Sequence, residues 1–318
     1  MNDFPEPRTL AVNGLDMSCH EAGSGFPIVF SHGWPELAYS WRHQLPALAA
    51  AGLRAIAPDQ RGYGKTSAPA AISAYSIHEL CEDLIGLLDA LELQQAVFCG
   101  HDWGGFLVWM LPQLYPERVA GVISLNTPFT PRAPTDPVEI MRKTWGDDFY
   151  IVQFQEHGVA DKLCLDNVET LFRLFYRKNP RPAQPEVRKQ GRGFNLLDAV
   201  RNADPSTLTE TVIADHELAV YIETFRRTGF TGGINWYRNM RRNWENTAGI
   251  SDHVGVPALM ICAADDLVLP PSLTDGMQQW VPDVERHILS DCGHWTQQEQ
   301  PAAVNRLIID WLAHRFSA

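Results

Sequence analysis

The sequence predicts an α/β fold: a mostly parallel, eight-stranded sheet with helices on both faces, interrupted by an inserted helical cap domain. Three observations carry this. Short apolar runs ending in turn residues alternate with helical patterns over residues 1–130, and such alternation builds a parallel sheet covered on both sides. The alternation then stops, and residues 131–245 read as helical, rich in Trp, Tyr, Phe and Arg. Strand and helix return over 246–318. The expected domains are a core of 1–130 and 246–318 and a cap (lid) domain of 131–245.

The strands begin as a hairpin. In TLAVNGLDMSCHEAG (9–23) two half-apolar runs flank Asn13-Gly14, a pair suited to a tight turn. Four short apolar runs follow: PIVFSHG (27–33), RAIAPD (54–59), AVFCGH (96–101) and VAGVISLN (119–126). The stretches WRHQLPALAAAG and SIHELCEDLIGLLDALEL read as helices. In the second, Leu80, Leu84, Leu87, Leu88 and Leu91 share one helical face. The insertion contains two loop-like stretches, RKNPRPAQPEVRKQGRG and TGFTGG. VPALMICAADD (256–266) and DVERHILSDCGH (283–294) bring the strands to eight, and PAAVNRLIIDWLAHRF closes the pattern as a helix.

A chain of 318 residues with 45% hydrophobic content is long enough for one large core with an insertion. The net charge of -12 disfavours nucleic acid and anionic membranes as partners. Cys19, Cys81, Cys99, Cys164, Cys262 and Cys292 form no C-x-x-C pair, so a zinc ribbon or redox motif is not supported. Cys99 and Cys262 read as small core residues. MNDFPEPRTL lacks a basic start and an apolar core, and no apolar run is long enough to span a bilayer. The expected location is cytoplasmic.

The chemistry centres on GHDWGG (100–105). Its glycines suit a sharp strand-to-helix turn that displays the central side chain, a position that holds serine in G-x-S-x-G. Here it holds Asp102. Asp266 in AADDLVLP and His294 in DCGHWTQ follow at two further strand ends. Catalytic groups of such sheets gather beyond the carboxyl ends of the strands, and the order nucleophile, acid, histidine is that of α/β-hydrolases. A histidine beside a glycine is ordinarily a loop residue; three such residues at three strand ends are not ordinary. Asp265 competes for the acid role, but Asp266 leads into the apolar Leu267-Val268 and is favoured.

SHGWPE (31–36) follows the third strand, where an oxyanion hole is expected from the backbone N–H groups of Trp34 and Trp103. Trp34-Pro35 is a candidate cis peptide. A carboxylate nucleophile attacks saturated carbon and forms an alkyl ester, which a histidine-activated water then cleaves. An epoxide leaving group needs hydrogen-bond donors, and two tyrosines in the insertion stand out: Tyr150 in GDDFYIVQFQEHGVAD and Tyr237 in GGINWYRNMRRNW. A halide would instead want N–H donors such as Trp103. DQRGYGKT lacks P-loop spacing, so Asp59 and Arg61 read as structural, and the charges of RNMRRNW read as a solvated face.

Across nearly its whole length the chain resembles the soluble epoxide hydrolases of the α/β-hydrolase superfamily, through HGWPE, DQRGYGKT, GHDWGG, FQEHGVAD, NWYRNMRRNW and CGHWTQ. The first three are shared with haloalkane dehalogenases; the insertion motifs are more specific. The resemblance implies Asp102 as nucleophile, Asp266 as acid, His294 as base, Tyr150 and Tyr237 as ring-opening donors, and Trp34 and Trp103 as the oxyanion hole. Trp34 stands where many relatives have Phe. Larger family members carry an N-terminal phosphatase domain, for which this chain is too short. No metal or organic cofactor is implied, and the expected partner is a small apolar aryl or alkyl epoxide. The alternatives are a haloalkane dehalogenase using the same triad, and a non-enzymatic binding protein, which would have no use for the full set.

Overall fold

A computed structural model describes residues 4–178, 195–204 and 207–316. They form two compact units. One holds the chain up to Ser67, His78–Pro131 and the chain from Ile250; the other holds Ala68–Ile77 and Arg132–Gly249. Segment 68–77, which the sequence places in the core, thus groups with the second unit, and that unit runs on to Gly249. The physical reason is hydrogen bonding. The Asn239 side-chain amide donates to the Ile72 carbonyl at 2.6 Å, and the Ile77 N–H donates to Asn243 Oδ1 at 2.9 Å.

The first unit is built on one sheet of eight strands: β1 (Arg8–Val12), β2 (Leu15–Ala22), β3 (Pro27–Ser31), β4 (Arg54–Pro58), β5 (Ala96–His101), β6 (Val119–Leu125), β7 (Ala258–Ala263) and β8 (Val284–Leu289). Their spatial order is β1-β2-β4-β3-β5-β6-β7-β8. β2 runs antiparallel to β1 and β4; the other neighbours are parallel. Asn13 and Gly14 turn the β1–β2 hairpin with φ of 45° and 73°, the left-handed pair that such a turn requires.

Burial on both faces explains why the central strands read as unbroken apolar runs. Ile28, Phe30, Val97, Cys99, Ile123, Leu125, Leu259 and Ile261 pack on one face with Leu45 and Leu48 of α1 (Gln44–Ala50) and with Val304, Ile308, Trp311 and Leu312 of the helix Pro301–Phe316. The alternate residues Val29, Phe98, Val122 and Met260 point the other way and are equally buried. The leucine face of α2 (Ile77–Ala90) is buried, and α3 (Trp103–Leu114) packs on β3, β5 and β6. β8, at the edge, has no fully buried residue, and Glu285, Arg286 and Ile288 are exposed.

Asp59 and Arg61 are structural, as their loop suggests. Asp59 accepts the Ala38 N–H at 3.0 Å, and Arg61 grips Asp83 of α2 through Nε at 2.7 Å and Nη2 at 2.6 Å. All six cysteines are buried and unpaired. Among the described residues no helix is long and apolar enough to cross a membrane.

The second unit is helical, and its aromatic residues are its core. The rings of Phe172, Tyr176, Tyr221, Phe225 and Phe230 stack or tilt against one another. Of the loop-like stretch 177–193 only Arg177 and Lys178 fall within the described residues, and Arg177 bridges to Thr211. TGFTGG is less of a loop than its glycines suggest. Gly229, at φ 71°, ends the helix Asp215–Thr228, and the helix Thr231–Arg238 starts two residues later.

Candidate active site

The strand order places the site. From β3 the chain passes to β4 on one side and then crosses back to β5 on the other, so the loops after β3 and β5 meet at the carboxyl ends of the strands, where such sheets open a crevice. Ser31 and Gly100 are register partners, which sets the loop holding Trp34 beside the turn holding Asp102. The turn is tight: Asp102 sits at φ 51°, ψ -120°, a conformation costing roughly 1–3 kcal/mol that the surroundings must hold in place. Its glycines make room. A Cβ on Gly104 would run into the Ser31 carbonyl, and one on Gly100 into the Gly104 carbonyl. Thr127 Oγ1 donates to the Asp102 carbonyl at 2.8 Å.

The two oxygens of Asp102 differ. Oδ1 accepts the backbone N–H of Trp34 at 2.8 Å, and the Trp103 N–H also donates to this carboxylate. Oδ2 lies 3.9 Å from His294 Nε2. Trp34-Pro35 is cis. Burial raises the Asp102 carboxyl above its usual range; His294 and the two N–H groups pull against that rise.

His294 is held by Asp266, whose Oδ2 lies 2.9 Å from His294 Nδ1. Asp266, not its neighbour Asp265, turns to the imidazole. It is 2% exposed, and Oδ1 accepts the N–H groups of Val268 at 2.7 Å and Leu269 at 2.9 Å. Burial would raise its pKa, but His294 and these donors outweigh that and hold it well below the carboxylate range. An ionised Asp266 fixes the tautomer with the proton on Nδ1, leaving Nε2 for chemistry. Burial pushes the His294 imidazole down, yet Asp266 and then Asp102 push harder and raise it to about 9.

Several further side chains hold Asp266 and His294 in place. Asn126, just after β6 at φ 64°, donates to Asp266 Oδ2 at 2.6 Å and accepts from Thr296 Oγ1 at 2.6 Å. His101, next to Asp102, has Nε2 2.7 Å from the His294 carbonyl and Nδ1 2.7 Å from Glu36 Oε2. Burial would raise Glu36, but His101, Ser40 and the Gly33 N–H hold it at about 2. The His101 ring thus bridges the Glu36 carboxylate and the His294 carbonyl. The sequence signal was present in HGWPE and GHDWGG, but the pairing depends on the β3–β5 register.

Tyr150 and Tyr237 belong to the second unit. Tyr150 opens the short helix Tyr150–Gln153, and Tyr237 sits one residue from the end of Thr231–Arg238. Their ring centroids are 5.9 Å apart at 73°, with Phe154 edge-on to both. A partly buried polar network lies around these helices. Arg238 pairs with Asp161 at 3.0 Å and donates to the carbonyls of Phe154 and Glu156, while the Gln155 amide donates to the Tyr237 carbonyl at 3.1 Å. So Arg238 is not part of a solvated face, whereas Arg241 and Arg242 are exposed.

A family model for the alpha/beta hydrolase fold matches residues 27–301. Epoxide hydrolase A of Mycobacterium tuberculosis (strain ATCC 25618 / H37Rv) is 44% identical, with 97% of each chain covered. Bifunctional epoxide hydrolase 2 of Sus scrofa is 42% identical over 94% of this chain and 53% of its own length. The chain spans about half the length of the mammalian relatives it matches. Among solved structures, epoxide hydrolase A from Mycobacterium thermoresistibile has a TM-score of 0.86 at 41% identity, covering 97% of this chain and 98% of that one.

Proposed function

This chain belongs to the epoxide hydrolases of the α/β-hydrolase superfamily, and on that footing we propose that it adds water to an epoxide, giving a vicinal diol through an ester on Asp102. The observation that carries the reading is the division between the Asp102 oxygens. Oδ1 rests on the Trp34 N–H, while Oδ2 stays clear of it and lies 3.9 Å from His294 Nε2. One oxygen is kept for attack; the other sits where charge develops later.

In the first step Oδ2 bonds to an epoxide carbon as that carbon's bond to the ring oxygen breaks. Tyr150 and Tyr237 donate hydrogen bonds to the ring oxygen, and one of them gives it a proton. Phenols suit this because they stay protonated at neutral pH. In the second step His294 Nε2 takes a proton from water as the water oxygen bonds to Asp102 Cγ. The negative charge gathers on Oδ1, which faces the Trp34 N–H, and the Trp103 N–H, which also donates to this group, helps to carry it. Collapse breaks the Cγ–Oδ2 bond; the diol leaves with Oδ2 and takes the proton from His294. The proton left on the new carboxyl returns to the tyrosine phenolate.

Charge timing supports this order. The Asp102 carboxylate helps raise the imidazole to about 9. Esterification removes that negative charge, so the imidazole falls toward its neutral form when a base is needed. Phe149 and Phe154 beside Tyr150 favour an apolar aryl or alkyl epoxide, and six buried free thiols fit a reducing, cytoplasmic setting. Styrene oxide and a bromoalkane, offered separately, test the reading. We expect diol from the first and no halide from the second. Halide without diol would make the chain a dehalogenase, and neither product would make it a binding protein.

A further inference from the structure

We infer that Glu299 is a positioning residue for the base, acting on the hydrolytic step alone; the inference rests on the two-step reading above. Its carboxylate straddles His294. Oε2 accepts the N–H of Gly293 at 2.9 Å and Oε1 the N–H of Trp295 at 3.0 Å, the residues on either side of the base. Gly293 makes this approach possible, since a Cβ there would lie 3.0 Å from Glu299 Oε1.

The straddle completes a frame that the other contacts leave open. The peptide plane between His294 and Trp295 is pinned at its carbonyl by His101 Nε2 at 2.7 Å and at its N–H by Glu299. On the other side of the base, the Thr296 hydroxyl, whose proton goes to Asn126 Oδ1 at 2.6 Å, lies 3.1 Å from the Gly293 carbonyl, while the Gly293 N–H goes to Glu299. With the backbone fixed from both sides and Nδ1 fixed by Asp266, Nε2 has one direction left. That direction ends 3.9 Å from Asp102 Oδ2. A base must meet its water within hydrogen-bond reach, and small misplacements cost rate steeply. Attack by Asp102 on the epoxide needs no base. Loosening this frame therefore slows ester hydrolysis and spares ester formation.

The test is Glu299→Gln. Its amide keeps one acceptor and turns a donor toward the second N–H, so at most one of the two bonds survives. Rapid-quench intact-protein mass spectrometry with styrene oxide reads both steps, with His294→Gln run alongside. We expect hydrolysis of the Asp102 ester to slow by about tenfold or more, ester formation to change less than about threefold, and the ester to accumulate at steady state. The charges that raise His294 most are those of Asp266, Asp102 and Glu36; loss of the Glu299 charge lowers the pH midpoint of hydrolysis somewhat, while the rate on the high-pH plateau stays depressed. If Glu299→Gln does not fold, Glu299→Asp, one methylene too short for the straddle, carries the same expectation. Equal loss in both steps, unchanged hydrolysis, or a shifted midpoint that restores the full rate would each overturn the role of Glu299. An absent ester in His294→Gln would instead overturn the two-step reading itself.

Discussion

His294→Gln leaves the protein esterified after one turnover. Ester formation draws on the Asp102 carboxylate and the tyrosine hydroxyls, none of which this change removes. Hydrolysis draws on a base, and water without one is a poor nucleophile toward an ester at neutral pH. Base catalysis of this kind is worth about 10²–10⁴ in rate, so the ester outlives many wild-type turnovers. Gln also fills the imidazole's place without titrating, which protects the pocket beside the buried Asp266. Intact mass rises by one whole epoxide, because ring opening loses no atoms, and peptide mapping puts the adduct on Asp102. A dehalogenase would gain only an alkyl fragment. An adduct elsewhere, or none, contradicts the proposed route.

The second large effect is the loss of both tyrosine hydroxyls. An alkoxide is a very poor leaving group unless donors take up its charge, and one such donor is worth about 10²–10³ in other enzymes. With Tyr150→Phe or Tyr237→Phe alone, one donor remains and ring opening slows by about tenfold or more. The double variant loses at least about 10³. The rings and their packing on Phe154 are kept, so thermal unfolding should move little. Single-turnover rates of ester formation check this. A double variant with near wild-type turnover would remove both tyrosines from the mechanism.

The legible and illegible parts of this molecule differ in physical kind. The central strands were legible because burial on both faces writes them as unbroken apolar runs, and Asn13-Gly14 because few residues tolerate two left-handed conformations in succession. Asp102 was legible because a strained turn demands glycines around it. What the sequence hides depends on register and long-range pairing. Segment 68–77 joins the second unit through Asn239 and Asn243, more than 160 residues away. Arg238 looks like one charge in an exposed cluster and is buried on Asp161. Glu36, His101 and Glu299 carry no motif of their own. They matter through which backbone groups they meet, and that is decided only when β3 lies beside β5 and the chain returns from β8.

The central claim is that Asp102, and not water, attacks the epoxide. In that scheme the Cγ–Oδ2 bond breaks in the second step, so Oδ2 leaves with the diol and the oxygen of water stays on the protein. Wild-type enzyme in excess over styrene oxide, turned over once in heavy-oxygen water, tests this directly. The account predicts an unlabelled diol and a heavy oxygen in the peptide that carries Asp102. A heavy oxygen in the diol, with none on Asp102, would mean that water activated by His294 opens the ring itself, and the covalent route would be wrong.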